Sequence, residues 1–315
     1  MESSDYQEHL RHGTIVLLDV LGTKNMSEKD RAMFVLKINE LIDELDVIKN
    51  DVFNIMPMFS SNIDKLQTII QDAENYYGDK TEDSERLNKL GYEMEYEVFS
   101  DTILILIHIN DFEFQRDDLM LYFTSLVIGT FLRSMLIKTG FLVRGAMSVG
   151  DYYFKMRNNR LIINGISLEE VAACYERTDW GGIITSPTAT NIIRQQNTVK
   201  GFQAQLEQYE SSELSTVQLE LLNTLKNLVR GLTGIGNYLV KYDIPWKNQL
   251  KCEGYAVGWP LIEDEHSKEI EKKLNELLIK YESYKNTDKH DIYMKYKTQL
   301  YSMNISKVLI KNFWT

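Results

Sequence analysis

The sequence predicts an α+β protein: a ferredoxin-like sandwich, in which strand, helix, hairpin, helix and strand follow one another, with a helical C-terminal extension. Three observations lead there. In TIVLLDVLGTKNM, the residues Thr14 to Leu18 are β-branched or aliphatic without a polar break, as expected of a strand covered on both faces. In YEMEYEVFSDTILILIHI the pattern alternates from Tyr92 to Val98, breaks at Ser100 and Asp101, and turns apolar from Ile103 to Ile107. That is a β-hairpin with a carboxylate at its tip. A helical segment follows each of these two units, and FLVRGAMSVG supplies the closing strand.

The first helix is expected from about Asp30 to Asn50, capped by Ser27, with Phe34, Leu36, Ile38, Leu41, Ile42 and Leu45 at helical spacing. The polar piece GDKTEDSERLN, from Gly78 to Asn88, reads as a surface insertion. A second helix from about Asp118 to Lys138 stops at Gly140, a suitable C′ residue. A short strand at Leu161 to Ile163 then leads into a helix from about Leu168 to Arg177. GGIITSPTATNIIRQ reads as strand, cap and helix, with Ser186 capping and Pro187 in the first helical position. Beyond about residue 200, Thr216 to Leu239 and Glu263 to Tyr284 are long, charged and helical in period, joined by the aromatic YDIPWKNQLKCEGYAVGWP. The expected division is therefore 12–200 as a catalytic unit and 201–315 as a helical extension packed on it.

Composition narrows the function. The 315 residues are 43% hydrophobic and 26% charged with only 4 Pro, a compact chain and not a linker. A net charge of -11 repels polyanions, which argues against general nucleic-acid binding or an anionic membrane surface. Cys174 and Cys252 are too few and too far apart for a disulfide framework or thiolate zinc site. The N-terminal MESSDYQEHLRHG has no signal-peptide core, and no apolar run is expected to approach the roughly 20 residues of a membrane span. A soluble cytoplasmic protein is expected.

On a ferredoxin-like sandwich, the end of the first strand and the tip of the central hairpin are neighbours, so Asp19 and Asp101 are expected to meet. Two carboxylates there suit a pair of divalent cations, Mg²⁺ or Mn²⁺, able to activate an attacking hydroxyl and neutralise phosphate charge. After Asp19, the turn at Gly22, Thr23 and Lys24 can face backbone N–H groups toward a triphosphate. Arg144, amid apolar residues, needs an anion, either a structural carboxylate or a phosphate. Taken singly, Asp19 could serve turn amides and Asp101 is a common hairpin residue. The five histidines are scattered and read as surface or core residues.

VLLDVLGTKNM, EVFSDTILILI and LVRGAMSVGDYY resemble, in order, the three core motifs of the class III nucleotidyl cyclases. The gapless run GISLEEVAACYERTDWGGIITS, Gly165 to Ser186, is similar in spacing to that family's dimer-arm helix and following strand, and disfavours a polymerase-type palm. Within the class, the style of the motifs resembles the pyrimidine cyclases of bacterial Pycsar anti-phage systems. The resemblance implies a homodimer with sites at the subunit interface, taking CTP or UTP, and a separate effector activated by the cyclic nucleotide. It also implies that Asp19, Asp101 and the backbone carbonyl of Val20 hold the metals. Glu97, four residues before the second metal aspartate, takes the place of a base-reading residue; an ionised carboxylate accepts from the N4 amine of cytosine, which favours CTP. A glutamate here also recurs in guanine-reading cyclases, making GTP the purine rival, and the plain alternative is that Glu97 is one of the outward carboxylates Glu93, Glu95 and Glu97. Where many purine cyclases carry a ribose-orienting asparagine and, four residues on, a transition-state arginine, this chain has Glu169 and Ala173. Arg177, one turn later on the same face, is either a displaced arginine or a cation at a helix C-terminus.

Overall fold

The computed structural model describes residues 9–21, 23, 28–29, 31–48, 92–109, 117–157, 160–177, 182–195, 239–245, 251–259 and 267–282. They form β1 (Leu10–Val20), α1 (31–48), β2 (Tyr92–Phe99), β3 (Thr102–Ile109), α2 (Asp117–Thr139), β4 (Val143–Arg157), β5 (Arg160–Asn164), α3 (Ile166–Arg177), β6 (Ile183–Thr185), α4 (Pro187–Gln195), β7 (Leu239–Pro245), β8 (Lys251–Val257) and α5 (Ser267–Glu282). All strands belong to one 8-stranded sheet in the order β2-β3-β1-β4-β6-β8-β7, with β5 paired to β4 off that path. The first four in that order reproduce the ferredoxin-like arrangement. Among the described strands only β4 and β6 run parallel.

Alternation along each strand sorts the side chains onto two faces. Val16, Leu18 and Val20 of β1, with Ile103, Ile105 and Ile107 of β3, join α1, α2, α4 and α5 in the larger core. Ile15 of β1, Leu104 and Leu106 of β3 and Ala146 of β4 form a smaller cluster with Val171 and Cys174 of α3 on the opposite face. That α3 face is the one relevant to chemistry, because Asp19 and Arg144 share its parity.

Helix ends follow the local chemistry. Asp117 and Asp118 stand in the first turn of α2, where carboxylates favour the positive end of the helix dipole. The helix stops at Gly140, whose φ of 72° is open to a residue without Cβ, and whose N–H donates to Leu136 O at 2.9 Å. Ser186 caps α4 as expected, its Oγ accepting from Ala189 N at 3.1 Å with Pro187 at the first helical position.

Two expectations need correction. The aromatic connector expected between C-terminal helices is instead the hairpin β7–β8, and β8 pairs with β6, so Leu239, the expected end of a helix, opens a strand. Strand β7 lies at the edge of the described sheet, a position that tolerates Pro245. The expected helix from Glu263 to Tyr284 is found over Ser267–Glu282, as α5; all of 216–238 and all of 78–88 lie outside the described residues. Second, Met120–Thr139 of α2 is long and apolar enough to cross a membrane. It is a core helix here: Leu121, Val127, Ile128, Phe131 and Met135 are buried among the other elements.

Candidate active site

Asp19 interrupts the apolar run of β1 one residue before its end, and the register places it opposite Thr102 of β3 on one side and Arg144 of β4 on the other. Asp101 precedes Thr102 at the hairpin tip, where Ser100 takes a φ of 60° to turn the chain. The Val20 N–H donates to the Asp101 carbonyl at 2.9 Å, which ties the end of β1 to the tip directly. So three residues far apart in sequence, Asp19, Asp101 and Arg144, are gathered at one end of the sheet.

The contacts within this group are specific. Arg144 Nε donates to Asp19 Oδ2 at 2.8 Å, with both side chains 14% exposed. Thr23 Oγ donates to Asp101 Oδ2, so the Thr23 hydroxyl engages the site. Gly145, beside Arg144, lets the strands close here: a Cβ on it would lie 2.3 Å from the carbonyl oxygen of Leu17. Arg144 therefore has a carboxylate partner, the structural one of its two expected anions. Gly22 and Lys24 lie outside the described residues. Val20 itself points its side chain into the core, 1% exposed, and presents only its backbone to the site.

The α3 helix covers this end from the other side. Val171 and Cys174 bury against the sheet, and Tyr175, four residues from Val171, stands on the same helical face. Its ring lies over the Arg144 guanidinium, 5.3 Å from centroid to Cζ. Burial, then the negative charge of Asp19, push its phenol above the ordinary value; Arg144 opposes, while Glu176 and Asp101 add to the rise. The hydroxyl thus stays neutral and feels both carboxylates. Tyr175 was missed in the sequence, although the spacing Val171, Cys174, Tyr175 in VAACYER carried the signal of a buried helical face.

The remaining expected residues stand around this group. Glu97 lies on β2 opposite Leu104, partly exposed and on the α3 face, whereas Met94, Tyr96 and Val98 turn to the larger core. Glu169, Ala173 and Arg177 are all exposed on α3, with Arg177 in its last turn. Nothing described brings Glu97 or Arg177 into contact with Asp19.

Among the described residues no group of three or more His, Cys, Asp or Glu side chains is arranged to hold a metal. Two aspartates near each other still fit Mg²⁺ or Mn²⁺, hard cations that commonly take one or two carboxylates and complete their shell with water and phosphate oxygens. Soft or tetrahedral metals find no such ligands here.

No protein-family model matches the chain, nor does any curated protein. Solved structures do match. The dimeric guanylyl cyclase domain of the RhoGC fusion protein from the aquatic fungus Blastocladiella emersonii is 11% identical, covering 58% of this chain and 84% of that one, with a TM-score of 0.37. The catalytic core of a rhodopsin-guanylyl cyclase with converted specificity, in complex with ATPalphaS, is 12% identical over 59% of this chain and 82% of its own, with a TM-score of 0.35. Likeness at this identity and score does not assign the chain to a family.

Proposed function

We propose that this protein is a class III nucleotidyl cyclase that converts CTP to 3′,5′-cyclic CMP and pyrophosphate. The observation that carries the proposal is the meeting of Asp19, Asp101 and Arg144 at one end of a sheet ordered β2-β3-β1-β4. The motif resemblance calls for the same three positions in the same chain order. We further propose that the protein is a cytoplasmic homodimer in which 12–200 is the catalytic unit, and that its product activates a separate effector in bacterial anti-phage defence.

In the reaction, the ribose 3′-oxygen attacks the α-phosphorus, the bond from that phosphorus to the β-phosphate oxygen breaks, and pyrophosphate leaves as the hydroxyl proton passes to solvent. Asp19 and Asp101, with the Val20 carbonyl, would hold two Mg²⁺ or Mn²⁺ ions; when bound, these supply Lewis acidity to the hydroxyl and offset charge on the departing phosphates. Arg144 adds a fixed positive charge for the triphosphate, and its planar fork suits phosphate oxygens. The turn at Gly22, Thr23 and Lys24 binds the triphosphate, and Arg177 stands in for the arginine missing at Ala173. Glu97 accepts from the cytosine N4 amine; uracil offers an O4 acceptor there, so UTP is the weaker substrate and cyclic UMP the alternative product.

A second reading is a cyclase fold that binds a nucleotide as a sensor without turning it over. Glu169 and Ala173 favour it, since both face outward from α3 where a ribose-orienting asparagine and an arginine would stand. One experiment separates the readings: purified protein, Mn²⁺ and an equimolar mixture of the four nucleoside triphosphates, with products identified by mass. Cyclic CMP should dominate by about tenfold or more, as one good polar pair to a base is worth about 1–3 kcal/mol. Glu97→Gln should erode that preference. Nucleotide binding without any cyclic product would establish the sensor, and dominant cyclic GMP would replace CTP by its purine rival, whose amine also donates to a carboxylate at Glu97.

A further inference from the structure

The contact between Tyr175 and Arg144 has no counterpart among the roles assigned above. Arg144 is held on two sides by different elements: β1 supplies the Asp19 carboxylate to its Nε at 2.8 Å, and α3 supplies the Tyr175 ring face at 5.3 Å. A planar guanidinium is suited to both at once, in-plane hydrogen bonding and out-of-plane stacking. The two holds differ in permanence. A carboxylate that is drawn toward a divalent cation or screened by it loses much of its grip on the arginine, whereas an aromatic face is indifferent to that cation.

The helix that carries the ring is itself fixed. Glu170 of α3 accepts from Ser148 of β4 at 3.1 Å and from Thr188 of α4 at 2.6 Å, and the Ser148 hydroxyl lies 2.8 Å from that of Ser186. Ser148 and Ser186 are fully buried, so this polar network locks α3 to β4 and α4 one turn before Tyr175. The ring is therefore held against the strand that bears Arg144.

We propose that Tyr175 is the positioning residue for Arg144, its ring keeping the guanidinium aimed at the triphosphate while Asp19 is engaged elsewhere. This rests on the cyclase reading for its kinetic consequence and on geometry alone for its structural one. The ring and not the hydroxyl does the work, so phenylalanine replaces tyrosine and an aliphatic side chain of similar reach does not.

The test uses the full chain with Tyr175→Phe, Tyr175→Leu, Arg144→Lys, Arg144→Ala and the double variant Tyr175→Leu with Arg144→Ala. In the ¹⁵N spectrum, the Arg144 Nε–H resonance, identified by its absence in Arg144→Lys, should shift in Tyr175→Leu as the ring current is lost and stay near its place in Tyr175→Phe. With CTP and Mn²⁺, Tyr175→Leu should lower kcat about tenfold while KM moves less than about threefold, and Tyr175→Phe should restore most of the loss. Added to Arg144→Ala, Tyr175→Leu should cost little more, since it acts through that arginine. The proposal is overturned if Tyr175→Leu moves neither the resonance nor kcat, if Tyr175→Phe is as damaged as Tyr175→Leu, or if the double variant loses the full product of both effects. A parent protein inactive on every nucleoside triphosphate, with the resonance responding as described, would retire the cyclase reading and leave the ring–guanidinium hold established.

Discussion

Strands β1 and β4 carry opposite charges across from one another near both ends of their pairing, Asp19 with Arg144 and His12 with Asp151. The first pair lies on the α3 face; the second lies on the opposite face, where Asp117 at the start of α2 joins it. His12 uses both ring nitrogens, Nδ1 to Asp151 at 2.6 Å and Nε2 to Asp117 at 2.7 Å, so a protonated ring donates to two carboxylates and has no further capacity. Asp19 and Arg144 make one hydrogen bond to each other, beside a second carboxylate and beneath an aromatic ring. Saturation marks a fastening between elements, while a pair with unused donors and acceptors beside another charge can exchange partners with a ligand.

The largest effect should come from removing charge at the exchangeable end. Asp19→Asn and Asp101→Asn keep shape and a carbonyl acceptor, so thermal melting should show Tm within a few degrees of the parent, while turnover on CTP falls about a thousandfold or more. Retained turnover in either variant would remove the distinction drawn between the two ends. Arg144→Ala comes next, with kcat/KM down by about a hundredfold. It also leaves Asp19 partly buried without its cation, so a loss of stability should accompany it, on the order of 1–3 kcal/mol in a denaturant titration.

At the fastened end the response should be in stability and should depend on pH. Burial lowers the pKa of His12, but its hydrogen bonds to Asp117 and Asp151, and their charges, outweigh that and leave it raised. A raised folded-state pKa means the contribution is fully present below the unfolded value of about 6.5 and is lost as pH rises through the folded one. His12→Gln should therefore cost about 1–2 kcal/mol at pH 5.5 and close to nothing at pH 9, with kcat at neutral pH little changed. The smallest effect belongs to Asp151→Asn: with Asp151 64% exposed, solvent screens the pair, and the loss at pH 5.5 should stay under about 1 kcal/mol. A pH-independent loss in His12→Gln would show the contact to be packing and not charge.

Much of this was legible before any coordinates. The apolar run into Asp19 gave the buried first strand, the break at Ser100 and Asp101 gave the hairpin tip, and Gly140, Ser186 and Pro187 marked helix ends correctly, because each acts through local backbone chemistry. Register was not legible. That Arg144 faces Asp19 follows from a strand pairing no window of sequence contains, and the same holds for the ring of Tyr175 over the guanidinium. The hairpin β7–β8 was missed because Pro245 and the charged residues around it resemble a connector, and its stability comes from pairing with β6 and burying Leu239, Val257 and Trp259 in a core built elsewhere.

That hairpin sets the order in which the protein can be completed. Strand β6 is three residues long and lies between β4 and β8. Until β8 is made, the outer edge of β6 is open and the larger core lacks Val257 and Trp259, which pack in the cluster that holds Val16 and Leu18. Contacts so distant in sequence are costly to close and slow to form, and an open strand edge is a template for pairing with another chain. During synthesis, the stretch between the emergence of β6 and that of β8 is thus an interval of exposure to misassembly in which holding by a chaperone would matter.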